Sequence, residues 1–219
     1  MKYLKILGPI VIFVAFVLLH KSIEYNVFSM GFSWTLSALI PYILQFIAGL
    51  LIALQFSQLL RAKSRLIQRL VGVLALLATC GIAFAINPIY EGDFANTKSD
   101  VVVNVNGETI VKEGLTMVAL PGCPYCYGRI GTLNFLKDRN PDLNIEVMLV
   151  KEDSLTIANY TKRLLPSIKI TATEHGLAVS QVIKGSYPAF LFRTKEGVVK
   201  YWKQQDFGTG AQDWIEDNH

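Results

Sequence analysis

Two cysteines separated by two residues are the side chains in this sequence best suited to chemistry. Cys123 and Cys126 lie in the stretch LPGCPYCYGRIG, residues 120–131, directly after an apolar run that is typical of a strand. Such a pair serves proteins as half of a zinc site, as an inert structural disulfide, or as a dithiol that is oxidised and reduced during turnover. The residues around the pair, and the compartment in which it lies, distinguish these uses.

A zinc site requires two further ligands near the cysteine pair. The other candidates in the sequence do not stand at a spacing that would supply them: Cys80, His20, His175 and His219. A structural disulfide between Cys123 and Cys126 would close a very short loop and would therefore constrain little of the unfolded chain. Redox chemistry is the preferred interpretation, and we expect neither a metal nor a cofactor at this site.

The chain changes character near its ninetieth residue. Apolar runs dominate up to Tyr90, whereas the sequence from Glu91 onward has the mixed charge of a globular domain. Residues 33–60 and 70–90 carry no charged side chain, and each exceeds the roughly 20 helical residues that cross a hydrocarbon core. The shorter run at 6–19 fits either a spanning helix or the apolar part of a signal peptide, and we favour a retained helix.

These features predict a transmembrane segment at 1–90, a linker at 91–100 and a globular domain at 101–219. Within the first segment we expect three membrane-spanning helices, at about 5–22, 33–60 and 69–90. The lipid bilayer is therefore one expected partner of this protein.

Basic residues indicate how the helices would cross the membrane. Two precede the first apolar run and four lie between the second and the third: Lys2, Lys5, Arg61, Lys63, Arg65 and Arg69. Because basic loops stay in the cytoplasm, we expect a multi-pass protein of the inner (cytoplasmic) membrane whose C-terminal domain is extracytoplasmic, in the periplasm or at the cell surface. That compartment permits disulfides. The net charge of +4 is interpreted as membrane topology, and no nucleic-acid partner is expected.

The sequence after the linker predicts a mixed α/β domain. Alternating apolar residues at 101–111, with Asn106-Gly107 at their centre, are typical of a hairpin with a tight turn. Apolar runs and helical stripes then predict strands at 115–120, 144–150, 188–193 and 198–202, and helices at 124–139, 153–165 and 211–217. This order favours a four-stranded sheet with helices on both faces, together with a β-hairpin extension.

Residues 101–219 resemble a thioredoxin-fold protein. The dithiol Cys123-Pro124-Tyr125-Cys126 matches the Cys-Pro-Tyr-Cys of glutaredoxins, and Tyr187-Pro188 stands at the position of the family's cis-proline. The apolar helices before this domain resemble the membrane part of fused DoxX and methylamine-utilisation proteins. The resemblance implies a thioredoxin-like domain with a redox-active disulfide between Cys123 and Cys126.

The resemblance also implies a role for each residue of the dithiol motif. Cys123 would begin a helix, where free N–H groups and the positive end of the helix dipole stabilise a thiolate, and would act as the nucleophile. Cys126 would resolve the resulting mixed disulfide. Pro124 suits the first helical position, and both Pro124 and Tyr125 are expected to contact the substrate.

Substrate is expected to bind beside the dithiol. Tyr187 and Pro188 would face the cysteines and pair with an extended segment of the substrate. The chain would then be a membrane-anchored thiol–disulfide oxidoreductase acting on the thiols or disulfides of exported proteins, in either direction. Alternatively, it would be an assembly or maturation subunit whose helices bind a membrane protein or redox partner and whose second domain serves one client or only binds.

Overall fold

The computed structural model describes residues 4–59, 64–89, 94, 99–100, 104–105, 108–109 and 111–219. The chain divides into two compact units, Met1–Tyr90 and Glu91–His219. Most of the linker predicted at 91–100 lies outside the described residues.

The described part of the first unit is helical. Its helices are α1 Leu4–Leu18, α2 His20–Ser29, α3 Trp34–Leu59 and α4 Arg65–Ile86. Helix α3 packs against each of the other three. Residues 34–58 and 65–86 are long and apolar enough to cross a membrane, and α1 with α2 makes a third candidate if the bent pair is one span.

The first predicted helix, at about 5–22, is broken in the structure. Helix α1 ends at Leu18, and the chain bends by 69° between α1 and α2. The residues after the bend are more polar, with an exposed ion pair of 2.9 Å between Lys21 and Glu24. Helix α4 begins at Arg65, four residues before the predicted start at 69. Arginine is a good helix former, so the charges at this end do not exclude these residues from the helix.

A mixed six-stranded sheet forms the centre of the second unit. Its strands are β1 Ser99–Asp100, β4 Gly114–Ala119, β5 Ile145–Leu149, β6 Lys169–Ala172, β7 Ala189–Arg193 and β8 Val199–Lys203, in the order β1-β8-β7-β4-β5-β6. Two further strands, β2 Asn104–Val105 and β3 Glu108–Thr109, pair antiparallel as the alternation predicts. The Asn106-Gly107 turn itself lies outside the described residues.

The sheet combines parallel and antiparallel strand pairs. Strands β4, β5 and β6 are parallel, whereas β7 is antiparallel to both β4 and β8. The mixed α/β sheet is therefore confirmed, but the prediction of four strands is too low. Strand β6 adds one strand beyond β5, and the two residues of β1 add another beyond β8. Neither added strand has a continuous buried apolar run that would predict it.

Helices cover both faces of this sheet. They are α5 Pro124–Gly128, α6 Ile130–Arg139, α7 Ser154–Thr161, α8 Gly176–Val182 and α9 Thr209–Asn218. Ala189 and Leu191 of β7 join the buried cluster that contains Val179 of α8. The alternate residue Phe192 contacts Trp214 of α9, with the two ring centroids 5.8 Å apart. Because successive side chains of a strand point to opposite faces, α8 and α9 lie on opposite sides of the sheet. This confirms the prediction of helices on both faces, although α8 itself was not predicted.

Two predicted helices differ in extent from those observed, and one observed helix was not predicted. The helix predicted at 124–139 is interrupted at Arg129, between α5 and α6. The one predicted at 153–165 is shorter at both ends. Asp153 caps α7 by accepting a hydrogen bond of 2.9 Å from the N–H of Thr156, and α7 ends at Thr161. Helix α8 has no counterpart among the predicted helices.

Candidate active site

A tight turn connects β4 to the first cysteine. The N–H of Cys123 donates to the carbonyl oxygen of Leu120 at 3.2 Å, which closes a four-residue turn. Pro121 occupies its second position, and Gly122 occupies its third with φ of 73°. This arrangement is a type II turn, which requires positive φ at the third position and therefore favours glycine there. The residues Pro121-Gly122 thus determine how Cys123 leaves the sheet.

The two sulfurs of the dithiol have unequal surroundings. Cys123 is the N-cap of α5, and its Sγ accepts a hydrogen bond of 3.3 Å from the N–H of Cys126. Pro124 is the first residue of this helix, as predicted. Cys123 is partly exposed, whereas Cys126 is 0% exposed. Both are free thiols in this structure.

Burial holds Cys126 in its protonated form. Removal from water, together with the side-chain hydrogen bond with Cys123, raises the pKa of the Cys126 thiol to about 12. The neutral thiol is therefore favoured over the physiological pH range. The site combines one accessible sulfur with one that is shielded and protonated.

The loop before β7 lies at the same edge of the sheet as the dithiol. The Tyr187-Pro188 peptide is cis, which the resemblance implies. Ala189, the next residue, pairs with Val118 of β4. Because β4 continues from Val118 toward Cys123, the antiparallel pairing places the start of β7 beside the end of β4. The roles of Tyr187 and Pro188 in binding substrate stay predictions.

Helix α8 fixes the side chain of Tyr187. The Tyr187 hydroxyl lies 2.5 Å from Oγ of Ser180, and Ser180 donates its own proton to the carbonyl oxygen of Gly176 at 2.7 Å. A serine hydroxyl has one proton, so Tyr187 is the donor to Ser180. The Tyr187 side chain also packs against the buried cluster around Val179. No pattern in the sequence singles out Ser180, because helix α8 is not among the predicted helices.

Tyr160 of α7 is a second residue that was not among the site residues predicted from the sequence. Its ring stacks on that of Tyr127, the residue after Cys126, with ring centroids 4.8 Å apart. Tyr160 is fully buried. Burial raises the pKa of its hydroxyl, and the nearby Cys126 raises it further. Sequence spacing gives no signal for this contact, because it depends on how α7 packs against α5.

The surface beside the dithiol is partly apolar. Tyr125 is 67% exposed and Leu120 is 43% exposed. Arg129, at the end of α5, donates to the carbonyl oxygen of Gln204 at 3.1 Å and so connects this helix to the 3-10 turn Gln204–Asp206. Among the residues that the structure describes, no group of three His, Cys, Asp or Glu side chains could hold a metal ion.

Comparison with known proteins yields a weak structural similarity. No family model matches the chain, and no curated protein matches it. A solved structure of a secreted Mycobacterium tuberculosis disulfide oxidoreductase, described as homologous to E. coli DsbE, is similar over 48% of this chain and 77% of that chain, with 15% sequence identity and a TM-score of 0.38. A similarity at this level carries no argument about the fold or the function of this chain.

Proposed function

We propose that this protein is a membrane-anchored thiol–disulfide oxidoreductase that acts on exported proteins. The observation that supports this most directly is the pairing of a partly exposed Cys123 with a fully buried Cys126 at the start of α5. Exchange of this kind needs one sulfur that a client can reach and a second that is close but shielded.

The exchange proceeds in two steps. The Cys123 thiolate attacks a client disulfide and forms a mixed disulfide, and one client sulfur leaves as a thiolate. Cys126 then loses its proton and attacks Sγ of Cys123, which releases the second client sulfur and leaves a Cys123–Cys126 disulfide. The client gains two electrons and takes up two protons, while the dithiol loses two electrons and two protons. The same steps run in reverse when the client is a dithiol.

Client binding is proposed at the edge of the sheet that carries the dithiol. An extended client segment would pair with the backbone of Tyr187, whose side chain is held by Ser180. The exposed Leu120 and Tyr125 supply apolar contacts next to the cysteines. Such a surface suits an unfolded or extended client, because it recognises backbone and apolar side chains instead of a particular folded shape.

The apolar helices of the first unit would anchor the protein in the cytoplasmic membrane. Two or three of them are long and apolar enough to span it. The basic residues between α3 and α4 support a cytoplasmic position for that connection. The second unit would then be extracytoplasmic, where its dithiol meets exported proteins.

A second candidate function is an assembly or maturation subunit with a partner in the membrane. The first unit contains a buried polar contact, 3.0 Å between Nε2 of Gln45 and Nδ1 of His20. The Gln45 Oε1 atom is buried without a hydrogen-bond partner within the described residues. Polar groups inside a membrane are costly and are commonly functional, which favours more than a simple anchor.

An insulin reduction assay tests the proposed activity. The full chain in detergent micelles should accelerate the reduction of insulin disulfides by dithiothreitol, and Cys123→Ser should abolish the acceleration. The matched control is Cys80→Ser, which removes the cysteine in α4 and should leave the rate unchanged. Retention of the rate in Cys123→Ser would refute the proposal. Recovery of one stoichiometric membrane protein after mild detergent extraction would favour the second candidate.

A further inference from the structure

The first unit has a groove between α3 and α4 that the exchange described above does not use. Its volume is about 580 Å³, and its lining comes from the last part of α3 and the first part of α4. Two of the lining residues, Leu54 and Val73, are 51% and 55% exposed. The groove is therefore open to whatever surrounds the helices.

Small side chains make room for this groove. Ala53 and Ser57 of α3 and Gly72 of α4 line it. A Cβ at Gly72 would lie 3.5 Å from Cβ of Ser57, so the two helices come close here without long side chains between them. Aliphatic residues such as Leu50 and Leu76 complete an apolar lining.

Two arginines line the groove where α4 begins. Arg65 and Arg69 stand four residues apart and therefore lie on the same face of the helix. Both are exposed. The sequence of the first unit contains a single acidic residue, Glu24, and Glu24 pairs with Lys21 at 2.9 Å. The negative charge that would complement these arginines has to come from outside this unit.

We propose that this groove binds one anionic phospholipid, with the headgroup phosphate at Arg65 and Arg69 and an acyl chain along the apolar lining. The inference rests on the membrane anchoring given under the proposed function and adds a ligand to it. A guanidinium presents its N–H groups as a planar fork that matches two phosphate oxygens. Basic pockets between membrane helices at the cytoplasmic side are suited to anionic headgroups.

The length of the groove also fits a lipid. From Arg65 to Leu76, α4 rises about 16 Å, and one leaflet contributes about 15 Å of hydrocarbon. Positive-inside placement puts the arginines at the cytoplasmic surface, where anionic lipids give the membrane its negative potential. A soluble phosphate would contact only the arginines, so the apolar lining favours a lipid over a free anion.

Native mass spectrometry of the full chain in a nonionic detergent tests this inference. The protein is mixed with equal concentrations of palmitoyl-oleoyl phosphatidylglycerol and palmitoyl-oleoyl phosphatidylcholine, which have the same chains. The first phosphatidylglycerol should bind about tenfold more tightly, because it carries a net negative charge and can form charge-assisted hydrogen bonds with the arginines.

Substitution of the arginines should remove this preference. Arg65→Gln with Arg69→Gln should bind the two lipids equally, and each single variant should lose part of the preference. Lys151→Gln with Lys162→Gln is the matched control, since it removes the same charge from exposed positions of the second unit and should keep the preference. Circular dichroism should show the same helical content in both double variants.

The possible outcomes distinguish this inference from the proposed function. Equal binding of both lipids by the parent overturns the inference, as does an equal loss of preference in the two double variants. Displacement of the lipid by glycerol 3-phosphate would identify a soluble anion as the ligand, and recovery of a membrane protein that only the arginine variant loses would identify a protein partner; either result overturns it. Insulin reduction by the parent would still stand in each case. Release of the chain from cell membranes by alkaline carbonate would overturn the membrane anchoring, and the inference with it.

Discussion

The two units of this protein place the same apolar side chains in opposite environments. In the first unit, long aliphatic residues such as Leu77, which is 62% exposed, point away from the other helices. In the second unit, residues of the same type, such as Leu133, are fully buried. An apolar exterior is stable only in an apolar solvent, whereas an apolar interior is what water drives together. The difference is the one expected if the first unit faces lipid and the second faces water.

The interiors differ in a corresponding way. The first unit buries small residues such as Ala48 and Ala83, together with the polar pair His20 and Gln45. The second unit buries large aromatic residues, including Phe190, whose ring stacks on Phe207 with centroids 3.7 Å apart. In the first unit, small residues allow the helices to approach closely, and this packing stabilises the unit because lipid offers no hydrophobic driving force between helices. In the second unit, removal of apolar side-chain area from water stabilises the core.

The largest expected difference in the free energy of unfolding comes from replacing one leucine with alanine in each unit. Leu133→Ala should lower the free energy of unfolding by about 2–5 kcal/mol, because it leaves a cavity in a packed core. Leu77→Ala removes a side chain that contacts lipid or detergent in both folded and unfolded helices, so we expect almost no change. Denaturant unfolding of the full chain in micelles measures both variants. Equal destabilisation by the two variants would contradict the comparison.

A pH-dependent effect should appear only in the second unit and only when the dithiol is reduced. The pKa of Cys126 is raised from 9.0 to about 12 in the folded protein. Its stabilising contribution is therefore complete below pH 9 and is lost as the pH rises toward 12, at up to about 1.4 kcal/mol per pH unit. Stability measured against pH should fall more steeply for the reduced wild type than for reduced Cys126→Ala. Parallel curves would show that this buried thiol does not contribute.

Two glycines, one in each unit, lie where other atoms of the chain come close, so replacing each with alanine compares how the two units tolerate an added methyl group. A Cβ at Gly176 would lie 1.9 Å from the carbonyl oxygen of Val150, whereas a Cβ at Gly49 would lie 2.6 Å from Oγ1 of Thr79. Backbone cannot move aside as easily as a side chain, so Gly176→Ala should cost about 1–3 kcal/mol and Gly49→Ala less. Adding Thr79→Ala should restore the Gly49 variant. Gly81→Ala, with no atom within 4 Å of its Cβ, is the control; a larger loss there than at Gly176 would be the contrary result.

A smaller effect is expected at the residue that holds Tyr187. Ser180→Ala removes the acceptor of the Tyr187 hydroxyl and should cost about 1 kcal/mol of stability. The insulin reduction rate should fall modestly, because the client-binding loop is less well fixed. Tyr187→Phe should give a similar loss, and the double variant should add little to either. Additive losses would show that the two hydroxyls do not act together.

Local sequence patterns were sufficient to predict the strands and helices whose apolar residues recur regularly. Strands β4, β5, β7 and β8 and helix α9 are confirmed close to their predicted limits, since each has a clear alternation or stripe. Strand β6 was missed because its end residues, Lys169 and Ala172, are exposed. The bend after Leu18 was missed because no glycine or proline marks it, although the chain becomes polar at His20.

The candidate site shows the same division between local and tertiary information. The spacing of Cys123 and Cys126 is visible in the sequence, and the resemblance implied the cis peptide before Pro188. Ser180 and Tyr160 could not be identified, because Ser180 lies in a short helix without a pattern and Tyr160 meets Tyr127 only through tertiary packing. Residues that are distant from the cysteines in the sequence but contact their surroundings in the structure can be identified only once the fold is known.

The most direct test of the central claim is the capture of clients by each single-cysteine variant. Full-length Cys126→Ser and Cys123→Ser would be expressed in cells, quenched with acid and alkylated, and their mixed disulfides counted on non-reducing gels. If Cys123 is the nucleophile and Cys126 resolves, Cys126→Ser should accumulate client adducts that disappear on reduction, and Cys123→Ser should form few or none. Equal capture by both variants, or capture through Cys123→Ser alone, would contradict the assigned roles of the two sulfurs.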